Sequence, residues 1–438
     1  MFHTYEQAVD WIHARLRLGI KPGLTRMEWM LERLEHPERR IKTIHVGGTN
    51  GKGSTVTFLR SILESAGYLV GTFTSPYFEQ FNERISVNGQ PISDDDLIQL
   101  VNVIKPLADE LDQTELGGPT EFEVITIMSI YYFAKISPVD VVIYEVGLGG
   151  RFDSTNVIHP LLSIITSIGL DHTAILGDTY EKIAFEKAGI IKNAVSIITG
   201  VKQPEALEVI RRKADIGKSP IYQLGEQFST NSKSSLKDGE QFTFTSMFTQ
   251  YEKLEISMIG SHQVDNASLA VMASQILAYY YSFIIEESHL REGLKKAYWP
   301  GRLEVLSEKP FVLIDGAHNE EGITALASEV KSRYADKKIS ILFAALTDKK
   351  LDRMIDILED TADSLTFTTF DFPRAAKAEE LMEAGKAADN MTIANDYKFY
   401  LEQKIKELKE NEILLVTGSL YFLSEAKPLL TQLLKINK

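Results

Sequence analysis

Cysteine is absent from all 438 residues. Disulfides, thiolate nucleophiles and cysteine-ligated metal centres are therefore excluded, and the absence fits a reducing cytoplasm. No apolar run approaches the ~20 residues that a helix needs to span a bilayer, so no membrane partner is expected. The opening stretch MFHTYEQAVDWIH lacks a basic segment followed by an apolar one, so no secretory leader is expected either. Positive charge is scarce: 47 Lys and Arg face 61 Asp and Glu, a net charge of −14. That balance argues against nucleic acid as a partner, because duplex binding asks for a basic face. It leaves room for a local basic pocket that holds a small anion. Internal repeats and low-complexity tracts are also missing. What is present, 44% hydrophobic and 25% charged residues, suits a soluble globular chain of two or three domains. A cytoplasmic monomer is expected.

Strand-like and helix-like segments alternate along most of the chain. IKTIHV (41–46), LVGTFT (69–74), VDVVIYEV (139–146) and PLLSIITSI (160–168) are apolar runs, as expected of strands covered on both faces. Ser54 to Ala66 reads as a helix closed by Gly67, and EFEVITIMSIYYFAK (121–135) as an apolar helix. This order predicts an α/β fold with a parallel, doubly wound sheet. Residues 226–258, with STNSKSSLKDGEQ inside them, are polar and predict a hairpin or exposed insertion. A second, smaller α/β unit starts near YWPGRLE (298–304) and carries FVLID (311–315), ISILFAAL (339–346), SLTFTTF (364–370) and EILLVTG (412–418). The expected domains are 1–297 and 298–438. The Trp299-Pro300-Gly301 step is the predicted hinge, because proline cannot continue the preceding helix.

The densest motif is HVGGTNGKGSTVTFL (45–59). It follows a strand and opens a helix, the place where glycine-exposed backbone N–H groups make an anion site. Asn50, Gly51, Lys52, Gly53 and Ser54 form the predicted phosphate loop, with Lys52 reaching the β- and γ-phosphates and Ser54 or Thr55 facing magnesium. An extra glycine separates Lys52 from Ser54, unlike the common Gly-Lys-Ser spacing. VVIYE ends in Glu145, a carboxylate at a strand tip, where phosphate-loop proteins hold magnesium. Glycines follow in VGLGGRFDSTN, at the sheet end where open α/β folds bind ligands. His172 in GLDHT follows the next strand and is open to a ligand or a structural reading.

Together these pieces resemble the Mur ligase superfamily and, within it, the folylpolyglutamate synthase/dihydrofolate synthase branch. The segments that carry the resemblance are HVGGTNGKGST, TFTSPY (72–77), FNERISVNG (81–89), PTEFE (119–123), EVGLGGRFDSTN (145–156), DHTAILG (171–177), IAFEKAGIIK (183–192), SHQVDNASLA (261–270), WPGRLE (299–304), DGAHN (315–319) and TGSLYF (417–422). Gly48 stands where the resemblance leads one to expect Ala or Thr.

The resemblance implies a phosphate-loop, Mur-type central domain and a smaller Rossmann-like C-terminal domain. It implies an ATP-dependent ligase that phosphorylates a substrate carboxylate and passes the acyl group to the amine of L-glutamate. The acceptor would be a reduced folate, dihydropteroate or both. By the same resemblance, Ser75 and Glu145 ligate one magnesium ion, and Glu145 and His172 share a second. Lys187 would be carbamylated and join His172 at that metal. Asn266 and Arg302 would contact ATP, Asp315 would orient the nucleotide, and His318 and Ser419 would lie near the glutamate or the transferred phosphoryl group. Phe122, Phe152 and Asp153, with the loop Lys21 to Arg26, would hold the pterin. Two alternatives stand beside this reading: a nucleotide-dependent switch without ligase chemistry, and a Mur-type ligase acting on another acid.

Overall fold

The computed structural model describes residues 1–19, 21–386 and 389–436. The chain separates into two compact units. The first comprises Met1–Ser234, Gln241–Ser257 and Gln263–Tyr298, and the second Ser235–Glu240, Met258–His262 and Trp299–Lys438.

The first unit holds strands β1 (Thr43–Gly47), β2 (Val70–Phe73), β3 (Ile85–Val87), β4 (Gln90–Pro91), β5 (Val141–Glu145), β6 (Leu162–Ile165), β7 (Ser196–Thr199) and β8 (Ile221–Gln223). They form one sheet in the order β4-β3-β2-β5-β1-β6-β7-β8. Pairing is parallel from β2 through β8, while β3 and β4 turn back antiparallel at one edge. The apolar runs predicted the parallel core. The antiparallel edge escaped notice because β3 and β4 are too short to leave a pattern. β1, β5 and β6 are buried along their whole length, which is why they read as unbroken apolar runs rather than alternating ones. The apolar helix is α-helical over Glu121–Tyr131 and ends in a wider turn, Tyr132–Ile136.

The polar stretch folds as β9 (Phe228–Leu236), β10 (Gly239–Ser246) and β11 (Gln250–Ile256), a three-stranded sheet. In the second unit, β12 (Glu304–Glu308), β13 (Phe311–Asp315), β14 (Lys338–Phe343), β15 (Ser364–Phe367), β16 (Met391–Ile393) and β17 (Glu412–Thr417) make a sheet in the order β12-β13-β17-β14-β15-β16. It is parallel except for β12. Two short pieces of earlier chain belong to this unit as well as the residues after Trp299. Arg333 gathers them: it donates to Leu236 O at 2.9 Å and Gly239 O at 3.3 Å, and pairs with Glu240 and Glu329. Those two carboxylates in turn accept Gly260 N and Ser261 N, at 2.8 and 2.7 Å. Polar contacts this distant in sequence leave no local trace, so the single Trp299–Gly301 step told only part of the connectivity.

Candidate active site

The phosphate loop forms at the carboxyl end of β1, and the helix Lys52–Ser65 starts directly after Gly51. Gly51 adopts φ +86°, and a Cβ there would lie 2.2 Å from Asn266 Oδ1. The loop is strapped to the end of β6. Asn50 N donates to Ser167 Oγ at 2.9 Å, and Thr166 Oγ1 and Ser167 Oγ donate to Asn50 O at 2.6 and 2.9 Å. Thr49 and Gly169 exchange two more hydrogen bonds. Sequence reading passed over Thr166 and Ser167. Their signal was a pair of hydroxyl residues at the tip of an apolar strand.

Gly48 needs its glycine. Its φ is +147°, and a Cβ would fall 1.9 Å from Thr166 Oγ1. In this chain the loop leaves little room for the Ala or Thr that the resemblance leads one to expect there. Gly47 is the position with tolerance: it has no positive φ, and its nearest Cβ neighbour is the flexible Ile190 Cδ1 at 3.1 Å.

Two lysine side chains converge on one carbonyl. Lys52 Nζ donates to Gly48 O and Thr49 O, both at 3.1 Å, and Lys187 Nζ donates to Gly48 O at 2.9 Å. Lys187 is buried. Its pKa is pushed down to about 7, first by burial and next by the charge of Lys52, against the pull of Asp171 and Asp153. Lys52 at a helix N-terminus makes an anion site, and the lowered pKa leaves Lys187 beside it partly as the neutral amine. Asp171 joins Lys187 here as a counter-charge that sequence reading had not singled out.

Glu145 ends β5 and is buried, and Ser75 N lies 3.4 Å from Glu145 Oε2. Thr55 Oγ1 in the loop helix is buried without a hydrogen-bond partner among the described residues. Carboxylate and hydroxyl oxygens suit magnesium, so Ser75 and Glu145 fit the implied ion. One carboxylate and one hydroxyl leave most of a six-oxygen shell to phosphate and water. Lys187 fits a metal only after its amine becomes an anion. The His172 side chain is 39% exposed beside Asp171. Among the described residues, no group of three or more His, Asp or Glu is clustered to hold a metal.

The pterin candidates divide. Arg26 Nε grips both oxygens of Glu123, at 2.9 and 3.1 Å, and Lys21 Nζ donates to Gly118 O at 3.1 Å. These contacts clamp the Lys21–Arg26 loop onto the segment that carries Phe122. Phe122 packs on Phe73 with ring centroids 5.7 Å apart, and its ring lies 2.5 Å from where a Gly147 Cβ would sit. Phe152 is 46% exposed. It lies under the Arg151 guanidinium rather than in the cluster that contains Phe122. Asp153 is buried and accepts Leu148 N at 2.8 Å and Thr155 N at 3.0 Å, and burial raises its pKa. Thr155 Oγ1 donates to Asp153 and meets His45 Nε2 at 2.8 Å. Asp153 thus ties the glycine loop after Glu145 to the core of β1.

In the second unit, Asp315 ends β13 and pairs in register with Thr417 at the end of β17. Its oxygens accept Leu303 N at 2.7 Å and Ala317 N at 2.8 Å. Burial raises its pKa and Arg302 opposes the rise. His318 Nδ1 is 2.9 Å from Gly316 O. Ser419 is buried, just past Gly418 at φ +115°. Neighbouring parallel strands therefore bring Asp315, His318 and Ser419 to one end of this sheet, the usual ligand end of open α/β folds.

Residues 46–274 match the Mur ligase middle domain, and residues 301–420 the Mur ligase glutamate ligase domain. Over 98% of its length the chain is 51% identical to a dihydrofolate synthase/folylpolyglutamate synthase of Bacillus subtilis, covering 99% of that relative. The chain belongs to the folylpolyglutamate synthase/dihydrofolate synthase family. It is an ATP-dependent, amide-forming ligase of the Mur superfamily. Among solved structures, a folylpolyglutamate synthase of Mycobacterium tuberculosis complexed with ADP matches with a TM-score of 0.90 at 29% identity, over 97% of this chain and 98% of that one. An FPGS-AMPPCP-folate complex matches with a TM-score of 0.85 at 30% identity, over 99% of this chain and 100% of that one. No helix among the described residues is long and apolar enough to cross a membrane.

Proposed function

We propose that this ligase joins L-glutamate to tetrahydrofolate, giving polyglutamates, and to dihydropteroate, giving dihydrofolate. The observation that carries the reading is the phosphate loop at the start of the helix Lys52–Ser65, with Lys52 Nζ held over Gly48 O and Thr49 O. That geometry suits a triphosphate, and it occurs in a chain related over nearly its whole length to enzymes of both names.

A carboxylate oxygen of the acceptor attacks the γ-phosphorus, and ADP leaves. The neutral amine of glutamate then attacks the acyl carbon, phosphate leaves, and the nitrogen loses a proton. Two anions must approach each other in the first step. Lys52 and the loop N–H groups offset that charge, and their geometry is set before the reaction. Ser75 and Glu145 would hold magnesium, which offsets further charge between carboxylate and γ-phosphate. His172, with Glu145 and Lys187, is the assignment for a second ion. The depressed pKa of Lys187 supports carbamylation: the neutral amine attacks carbon dioxide and loses a proton, giving an anionic oxygen donor. We assign Asn50, Gly51, Gly53, Ser54, Asn266, Arg302 and Asp315 to the nucleotide. His318 and Ser419 go to the glutamate and phosphoryl group, and Lys21, Arg26, Phe122, Phe152 and Asp153 to the pterin. The reading makes the enzyme a monomer, and the cysteine-free sequence suits a reducing cytoplasm.

The test is incorporation of labelled glutamate into dihydropteroate and tetrahydrofolate, side by side. Product with both supports the dual reading, product with one makes the enzyme monofunctional, and product with neither refutes the proposal.

A further inference from the structure

In the segment Phe81–Arg84 two buried side-chain atoms lack a hydrogen-bond partner among the described residues, Asn82 Oδ1 and Arg84 Nε, and only the second belongs to a charged group. Asn82 Nδ2 donates to Ile92 O at 2.9 Å and Asp94 Oδ1 at 2.8 Å. Glu83 accepts Phe78 N, Glu79 N and Gln80 N at 2.7 to 2.9 Å, which fixes the loop after Ser75. The Arg84 side chain is only 9% exposed, and its Nε is buried without a partner. The guanidinium makes no hydrogen bond among the described residues. Its charge partner, Glu121 Oε1, lies 4.0 Å from Nη2, beyond hydrogen-bond reach. Glu121 itself is held by His13 Nδ1 at 3.2 Å. The rings of Tyr77 and Phe81 flank the guanidinium carbon at 5.2 and 5.6 Å.

A nearly buried guanidinium with unused donors is a ready receptor for a carboxylate, which it can hold through two parallel hydrogen bonds. Its position narrows which carboxylate. Arg84 O accepts Thr74 N, so the residue flanks the Thr74–Ser75 step beside Glu145. Glu121, its charge partner, adjoins Phe122. Strand β3 is separated from β1 by β2 and β5, three spacings of ~4.8 Å or about 14 Å. A reacting carboxylate must come within about 3 Å of the γ-phosphate held after β1. The Arg84 guanidinium itself lies against Glu121, Tyr77 and Phe81, so a carboxylate it holds is set apart from the loop after β1 and is not the reacting one.

We infer that Arg84 binds the non-reacting carboxylate of a glutamylated folate and so separates the two acceptors of this site. Dihydropteroate has one carboxylate, and that one is activated. Tetrahydrofolate ends in a glutamate with two, of which one is spare. The inference rests on the ligase reading above and names the residue that tells its two acceptors apart.

The test uses the full chain and three acceptors: dihydropteroate, tetrahydrofolate, and tetrahydrofolate with its spare α-carboxylate converted to the amide. In the wild type, the amide should raise KM tenfold or more over tetrahydrofolate. Arg84→Gln should raise KM for tetrahydrofolate by the same factor, make acid and amide equivalent, and leave dihydropteroate within threefold. Arg84→Lys should restore part of the preference for the acid. A purely structural Arg84 would shift both acceptors together, and that result overturns the inference. Equal use of acid and amide by the wild type overturns it without any variant. A wild type inert toward every acceptor refutes the ligase reading instead, so the two failures are distinguishable.

Discussion

Replacing Gly48 by alanine puts one methyl group where the loop has no room for it. The new Cβ would lie 1.9 Å from Thr166 Oγ1, 3.1 Å from Thr166 Cβ and 3.2 Å from Ser167 N. Thr166 would have to turn away and lose its 2.6 Å hydrogen bond to Asn50 O. A neutral hydrogen bond contributes about 0.5–1.5 kcal/mol net. The positive φ, forced on a residue with a side chain, costs about 1–3 kcal/mol. Together the penalty is about 1.5–4.5 kcal/mol. It falls on folding if the loop keeps its shape, and on nucleotide affinity if the loop relaxes. If it falls wholly on affinity, binding weakens by about 10- to 2000-fold. The control is Gly47→Ala, whose only tight contact is the movable Ile190 Cδ1. Calorimetric titration with ADP and thermal unfolding should be run on both variants. Gly48→Ala should lose affinity, melting temperature or both, and Gly47→Ala should stay near wild type. Gly48→Ala should recover some of the loss when combined with Thr166→Ala, which removes the nearest atom but not the φ strain. If Gly48→Ala matches the wild type in both measurements, the close approach at Thr166 does not exist in solution.

Lys52→Ala should lower ligation by a factor of about 10²–10³ or more while the melting curve stays in place, as expected for loss of a group aimed at developing charge; turnover near the wild type would remove the phosphate-loop assignment. Burial pushes the His45 imidazole down to about 3 from 6.5, so the unfolded chain binds this proton first and stability is lost as pH falls below 6.5. The loss is about 1.4 kcal/mol per pH unit, so urea unfolding at pH 6.5 and pH 5 should differ by about 2 kcal/mol more in the wild type than in His45→Gln. Equal differences would mean that His45 is protonated or exposed in the folded state. With ¹³C-bicarbonate, the wild type should show a carbamate carbon signal that Lys187→Ala lacks. Lys187→Ala should also lose most turnover, with partial recovery in acetate; an unmodified lysine together with an active Lys187→Ala variant would end the carbamate proposal.

The sequence by itself determined the α/β class, the parallel core of each sheet and the phosphate loop. Each rests on local physics. Strands covered on both faces must be apolar throughout, and an anion site at a helix start must expose backbone through glycine. The resemblance carried by its motifs supplied the family, because those motifs are contiguous in the chain. Tertiary structure alone decided the rest. Which of Gly47 and Gly48 tolerates a side chain depends on Thr166, more than a hundred residues away. That Lys187 meets Lys52 at one carbonyl depends on a contact spanning 139 residues. Arg333 draws two pieces of earlier chain into the second unit through hydrogen bonds that no periodicity announces. In the sequence Arg84 is one residue of the FNERISVNG segment, and only burial shows its guanidinium to be without a hydrogen bond among the described residues. Propensity and spacing act over a few residues, whereas burial and hydrogen-bond satisfaction are settled only when distant segments pack together.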